Sequence, residues 1–441
     1  VDLGTDRGAP PGRRATKLDR ARRLGERRRH RRRISFAVVL VPLAAGVVAL
    51  GAYRLGAFGE REVTSPPSGG EPSVTDTGEG RGGERPEPVP TPEPINQAVE
   101  GLTTFRGNAT RTYYGEGPLP KRPEILWRFP ESGGMCSRST DEEGERTWCG
   151  TGWTGQPNVV EVDGTTEVRF GAYDRSVHVL DGRTGEPLYE PFLTGDLIKG
   201  TVTSDPDGYP LLYVGSRDNY LRILALDRGD APVELWRLSS DAVPNPVWNN
   251  DWDGSPLIVD DHLLEGGENS WFHVVELNRD YDERGRVTVR PRVRLTVPGF
   301  DDRLLSELGD TEVSIENSVA LHEGVAYFAN SGGLVQGWDV ADVLEGGRRA
   351  RRVFRFWTGE DTDASVVIDD EGMLYVASEL ERMGPRSQEV GQLLKLDPGE
   401  RRDPVVWDIP IPGEGGDGGV WATPGLVGDA VIAATNTGRI L

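Results

Sequence analysis

Residues 212–227 read LYVGSRDNYLRILALD: an apolar run, a small residue, a polar turn at Arg217-Asp218-Asn219, then a second apolar run closing on Asp227. Short apolar runs either side of a turn of this composition read as two antiparallel strands. The same skeleton returns in RFGAYDRSVHVLD (169–181), LLEGGENSWFHVVELN (263–278), VAYFANSGGLVQGWD (325–339) and LYVASELERMGPRSQEVGQLLKLD (374–397). One hairpin is being reused, and the spacing of its reuse decides the fold.

The segments just ahead of these hairpins, WTGQPNVV, IKGTVTSD, WDGSPLIV, IENSVALH, TDASVVID and VWATPGLV, align on Pro157, Val202, Pro256, Val319, Val366 and Pro424. The preceding column is Gln156, Thr201, Ser255, Ser318, Ser365 and Thr423, polar in every unit. Intervals of 45, 54, 63, 47 and 58 residues suit four-stranded blades of about 40–50 residues with insertions. From residue 98 onward no long helical periodicity interrupts the pattern, so the fold class is all-β, a β-propeller whose radial blades leave only short, protected edges. Units tend to close on a Trp strand: VELWRL (Trp236), VFRFWTG (Trp357) and VVWDIP (Trp407). EILWRFP, with Trp127, reads as an orphan last strand that closes the ring with a partner from the other end of the chain. Six units are visible and the sixth is interrupted at NTGRIL (436–441), so the expectation is seven or eight blades in a protein whose C-terminus is truncated here.

Charge is unevenly distributed. Residues 1–33 carry 13 Arg or Lys against 4 Asp or Glu, +9 in a chain of −21, which leaves −30 on the rest. Directly after RRRHRRR comes ISFAVVLVPLAAGVVALGAY, Ile34 to Tyr53, 20 residues without a charge. A helix of that length spans about 30 Å, the hydrocarbon thickness of a bilayer. Arginine on its near side puts that side in the cytoplasm. The expected arrangement is a basic cytoplasmic segment (1–33), a single transmembrane helix (34–53), a tether (54–97) and an extracytoplasmic propeller (98–441) on the cytoplasmic membrane. A cleaved signal peptide ending near Ala49 and Gly51 is the competing reading; the long apolar run and the extended basic lead favour an anchor. The tether has eight prolines between residues 59 and 97 and few large apolar side chains, too little to offset the entropy of ordering. The basic run is read as a topology signal, with no nucleic-acid partner.

Only Cys136 and Cys149 are present, 13 apart in MCSRSTDEEGERTWC. In an oxidising compartment they are expected to form a disulfide, worth about 3 kcal/mol for a loop of this size.

VHVLDGRTGEPLYE (177–190) and TTFRGNATRTYYGEGP (103–118) resemble, respectively, the repeat and the lead-in segment of the quinoprotein-like propellers, those similar to pyrroloquinoline quinone-binding alcohol dehydrogenases. The resemblance covers about three quarters of the chain and implies a propeller that serves either as a binding scaffold or as a dehydrogenase. The catalytic branch uses adjacent cysteines and a Trp-floored cofactor slot with calcium ligands, and no Cys-Cys pair exists here. The reading is therefore a binding or scaffold module for a protein or cell-envelope ligand, with a pyrroloquinoline quinone- and calcium-dependent dehydrogenase as the alternative.

Equivalent positions in successive blades fall on a ring. Three residues before the aligned Pro or Val stand Thr154, Lys199, Asp253, Glu316, Asp363 and Trp421. These are expected to converge on one mouth of the central axis, with Trp153, Trp252, Asn317 and Asp361 nearby, and Glu268 on a different turn. Asp253, Glu316 and Asp363 offer oxygen ligands to calcium; Lys199 and the indoles of Trp153 and Trp421 offer charge and stacking to a flat anion. Other motifs carry no chemistry. GTGWTG (150–155) leads into Pro157 rather than a helix, and DWDG (251–254) lacks the Glu at the twelfth position of a calcium loop, where His262 stands.

Overall fold

The computed structural model describes residues 93–95, 98–115, 117–141, 144–152, 154–413 and 418–441. The expected basic segment, the apolar span 34–53, most of the tether and Trp153 lie outside them. Among the described residues no helix is long and apolar enough to cross a membrane. Toward the tip of the disulfide hairpin the Gly144 amide donates to Asp141 (3.1 Å), and Arg146 forms an ion pair with Asp141.

The body is a succession of antiparallel sheets in chain order. The first holds Asn158–Val162, Thr165–Gly171, Ser176–Asp181 and Phe192–Leu193, with Gly101–Leu102 added beside Asn158–Val162. The second holds Thr203–Ser204, Leu211–Gly215, Tyr220–Ala225 and Val233–Ser239; the third, Leu257–Val259, His262–Gly266, Trp271–Glu276 and Arg292–Pro298. The fourth holds Ala320–His322, Val325–Phe328, Leu334–Asp339 and Arg351–Trp357; the fifth, Val367–Ile368, Leu374–Ala377, Leu393–Leu396 and Val405–Ile409. A sixth unit pairs Gly425–Val427 with Ala430–Ile432.

Continuous apolar runs arise because both faces of each middle sheet are covered. In the third sheet Leu263 and Val275 pack toward Tyr213 and Ile223 of the second, while Leu264, Phe272 and Val274 pack toward Ala326 and Phe328 of the fourth. Successive side chains on a strand point to opposite faces, so a sheet buried on both sides needs apolar residues at both parities.

The polar column is what sets the sheets radially. Each member's backbone amide donates to the side-chain hydroxyl of the next: Gln156 to Thr201 (2.8 Å), Thr201 to Ser255 (3.1 Å), Ser255 to Ser318 (3.0 Å), Ser318 to Ser365 (2.9 Å) and Ser365 to Thr423 (3.0 Å). The blades approach so closely here that a Cβ on Gly200 would lie 2.2 Å from the Gly254 carbonyl. This belt of rungs makes the fold a β-propeller arrangement of six units among the described residues.

Residues 103–114 run up the middle of the belt. The carbonyls of Thr103, Ala109 and Thr110 accept from the amides of Ser204, Leu321 and Ile368 (2.8, 2.8 and 3.0 Å), and the Tyr114 hydroxyl accepts from Leu426 (2.9 Å). Fully buried Arg111 donates to the carbonyls of Val319 (2.6 Å), Phe105 (2.8 Å) and Ser255 (3.4 Å) and to the Thr104 hydroxyl (3.2 Å). Burial pulls this guanidinium down to about 9, with buried Glu265 pushing it back up. The lead-in segment is thus an axial plug.

Trp127 departs from expectation. Residues 123–129 form no strand; instead the Trp127 indole donates to the Gly182 carbonyl (3.0 Å) and packs with Phe170, Ala172 and Leu180 of the first sheet. An exposed outer sheet face attracted the indole, and no ring-closing strand forms at this point. Cys136 and Cys149 are disulfide-bonded across a hairpin of Cys136–Asp141 and Gly144–Cys149.

Candidate functional site

Two residues upstream of each belt position stand the six residues expected at the axial mouth, and alternation puts a residue and its second neighbour on the same side of an extended chain. The structure brings them together as neighbours. Thr154 donates from its hydroxyl to the Asp253 carbonyl (2.8 Å). The Lys199 ammonium is ion-paired with Asp253 and reaches Glu268 at 3.3 Å. The Trp421 indole donates to Asp363 (3.0 Å). Glu316, Asp363 and Trp421, with Thr154, line a hollow of about 260 Å³ floored by Phe105 and Arg106 of the plug. Arg106 donates to the Thr423 carbonyl (2.6 Å) and lies over the Tyr114 ring (5.3 Å).

Asn317 lines the same hollow, with its side chain engaged elsewhere, and Trp252 is placed differently. The Asn317 amide is consumed by backbone: it donates to the carbonyls of Ala329 (3.0 Å) and Thr362 (2.9 Å) and accepts from the Ala329 amide (3.1 Å). It ties the fourth sheet to the loop that enters the fifth. Trp252 is wholly buried, 5.4 Å from His273, in the core between the second and third sheets.

Part of a second column meets the mouth acids, at Arg217, Glu268, Ser331 and Glu379. It lies two residues past the small residue that ends the second strand of each blade: Tyr173, Arg217, Glu268, Ser331 and Glu379. Glu268, assigned from sequence to a different turn, does stand on that turn, yet the turn folds back on Lys199. Arg217 pairs with Asp251 (2.7 Å), Asn249 donates to Glu268 (2.6 Å), and the Ser331 hydroxyl lies 3.3 Å from Glu316. The signal was available in the repeat, since these positions are in register when the hairpins are superposed.

The electrostatics divide the mouth in two. On one side Asp251, Asp253 and Glu268 place three carboxylate oxygens within 4.8 Å of one another, and Lys199 and Arg217 supply the compensating charge. Burial works against the Lys199 ammonium, but Asp253, Glu268 and Glu316 together outweigh it and hold its pKa well above that of a free lysine. Burial and Glu268 raise Asp253 despite Lys199. Burial also opposes ionised Glu268, but Lys199 and the Asp253 hydrogen bond prevail and lower its pKa.

On the other side the acids are less compensated. Glu316, Asp361 and Asp363 are half-buried, and one oxygen of each aspartate, shut off from solvent, has no hydrogen-bond donor among the described residues. Burial and Asp363 raise Glu316; burial and Glu316 raise Asp361; burial and Asp361 raise Asp363. Glu379 is pushed up to about 9 by burial, then by Asp363 and Glu381. Each acid of this wall is thus shifted toward its protonated form, and a cation placed against it would favour the ionised forms. Of the three aspartate and glutamate residues read as calcium ligands, Asp253 sits on the lysine side and Glu316 and Asp363 on the uncompensated side.

No family profile and no curated protein sequence matches the chain. Among solved structures it is similar to BamB from Moraxella catarrhalis, at 14% identity over 68% of this chain and 79% of that one, with a TM-score of 0.42. It is also similar to the computationally designed Ika8 protein, at 12% identity over 64% and 68% of the two chains, with a TM-score of 0.42.

Proposed function

We propose that this chain is a binding module, held outside the cytoplasmic membrane by residues 34–53, whose axial mouth takes a positively charged group of a protein or cell-envelope ligand. The observation that carries this reading is the uncompensated wall of Glu316, Asp361 and Asp363 beside the half-exposed Trp421 ring. A carboxylate wall with an indole suits an ammonium, by charge and by the quadrupole of the ring. The plug supports binding over cofactor chemistry, because side chains and backbone of residues 103–114 already occupy the axis below the mouth.

The test is calorimetric titration of the full chain with cadaverine, a primary-amine probe, from pH 6 to pH 8.5, with calcium chloride in parallel. Raised carboxyls must give up protons to meet a cation, so cadaverine affinity is expected to rise with pH and to be lost in Glu316→Gln/Asp363→Asn. No binding at any pH, or calcium binding without amine binding, rejects an ammonium site. Protease protection of residues 1–33 in intact cells, with residues 98–441 accessible, tests the orientation.

A further inference from the structure

We propose that the ligand of the axial mouth is a zwitterionic amino acid, its ammonium met by Glu316 and Asp363 and its carboxylate by Arg106. The ammonium is the one assigned to the mouth above, so the inference rests on that reading; the carboxylate and its partner are new.

The hollow holds both signs of charge. Glu316 and Asp363 wall it, and Arg106 of the plug lines it with them. The two signs come from different sectors of the ring. Glu316 and Asp363 stand on the segments that enter the fourth and fifth sheets. Arg106 is tied to the first and sixth units: its amide donates to the Gln156 side-chain oxygen (3.3 Å) and its guanidinium to the Thr423 carbonyl (2.6 Å). Arg106 forms no ion pair among the described residues, although two acids line the same hollow. A simple anion would be repelled by the acids and a diamine by Arg106, whereas a ligand carrying both charges is complementary to both sectors.

The guanidinium is held in place before a ligand arrives. Arg106 lies in the left-handed region (φ 55°) and Gly107 follows it there (φ 67°). The Arg106 carbonyl accepts from the amides of Asn108 (2.9 Å) and Tyr113 (3.1 Å), which pins the turn. The guanidinium carbon lies 5.6 Å from the centre of the Phe105 ring and 5.3 Å from that of Tyr114. Such contacts occupy the faces of the guanidinium plane, and the Thr423 carbonyl takes one of its in-plane N–H donors. The other donors form no hydrogen bond among the described residues. Adjacent in-plane donors match the two oxygens of a carboxylate, and a guanidinium already ordered costs less to engage. The half-exposed Trp421 ring offers an apolar surface to the carbons between the two charges.

Lysine and cadaverine share a carbon skeleton and two amines and differ in the carboxylate, so their ratio of affinities isolates the contact with Arg106. Glutarate carries carboxylates alone. The experiment is calorimetric titration of the full chain with each at pH 8 and about 0.15 M salt, which screens long-range attraction of cadaverine to the acidic chain. Lysine is expected to bind about tenfold or more tightly than cadaverine, and glutarate not to bind. Arg106→Gln should bring the lysine-to-cadaverine ratio to about one, because it removes the partner of the carboxylate and a charge that repels the diamine. The comparison in the parent needs no variant, and the urea midpoint checks the fold of Arg106→Gln. Cadaverine binding with lysine no tighter overturns the zwitterion and leaves the ammonium site standing; binding of neither rejects both. A lysine preference that persists in Arg106→Gln, or saturable binding of glutarate, also overturns the proposal.

Discussion

Two columns of side chains, two residues apart on the same segments, do opposite work. The belt of Gln156, Thr201, Ser255, Ser318, Ser365 and Thr423 repeats one type of interaction from blade to blade, amide to hydroxyl. The mouth column of Thr154, Lys199, Asp253, Glu316, Asp363 and Trp421 repeats a position but not a chemistry. Uniformity around an axis marks what every blade needs in order to pack, and variation marks what the assembled ring is free to specialise. The first column should therefore govern stability and the second binding.

The largest effect is expected at the plug that both columns surround. Arg111→Met removes a buried cation from the carbonyls of Val319, Phe105 and Ser255 and leaves them without their donor. A loss of about 3–5 kcal/mol is expected, read as a fall in the urea midpoint. A normal midpoint would mean that the plug is not part of the cooperative core. Next comes the belt: Ser318→Ala leaves the Ser255 amide without an acceptor, at a cost of about 1–3 kcal/mol. The companion Ser255→Ala should cost a similar amount, and destabilisation confined to one of the two would break the equivalence of the rungs.

A smaller effect depends on pH. Glu379 titrates near 9 in the fold against 4.5 as a free side chain. Between those values the folded chain holds a proton that the unfolded chain has released, so stability falls as pH rises through that window. Glu379→Gln should flatten this part of the stability profile, which thermal unfolding at pH 5 and pH 8.5 would read. A profile as steep as that of the parent would place the titration elsewhere. The smallest change in stability is expected for Glu316→Gln, which removes an acid that burial already disfavours.

Much of this was legible in the sequence because repetition makes geometry visible. The polar column could be read as a column since all six blades obey it, and its spacing alone puts the six mouth residues on one ring. The neutralisation of Asp253 by Lys199 was not legible, because adjacent positions on a ring say nothing about which side chain is long enough to reach its neighbour. Glu268 was missed because its column hangs from the end of another strand and meets the first only in three dimensions. Asn317 lines the hollow as its place in the repeat suggested; that its amide also bonds the backbone of Ala329 and Thr362 was not legible, because those partners come from other segments. Trp127 shared a strand signature with Trp236, Trp357 and Trp407, yet local β-propensity yielded to an exposed apolar face of the first sheet. Residues 103–118 identified a lead-in; that it threads the axis depends on long-range contacts with five other blades' worth of backbone, which no local pattern encodes.

The division of labour between the columns is tested most directly by calorimetric titration of cadaverine into Glu316→Gln and Ser318→Ala, neighbours on one segment. Loss of binding in the first with retention in the second is the predicted result. Equal retention, or loss only in Ser318→Ala, would contradict it.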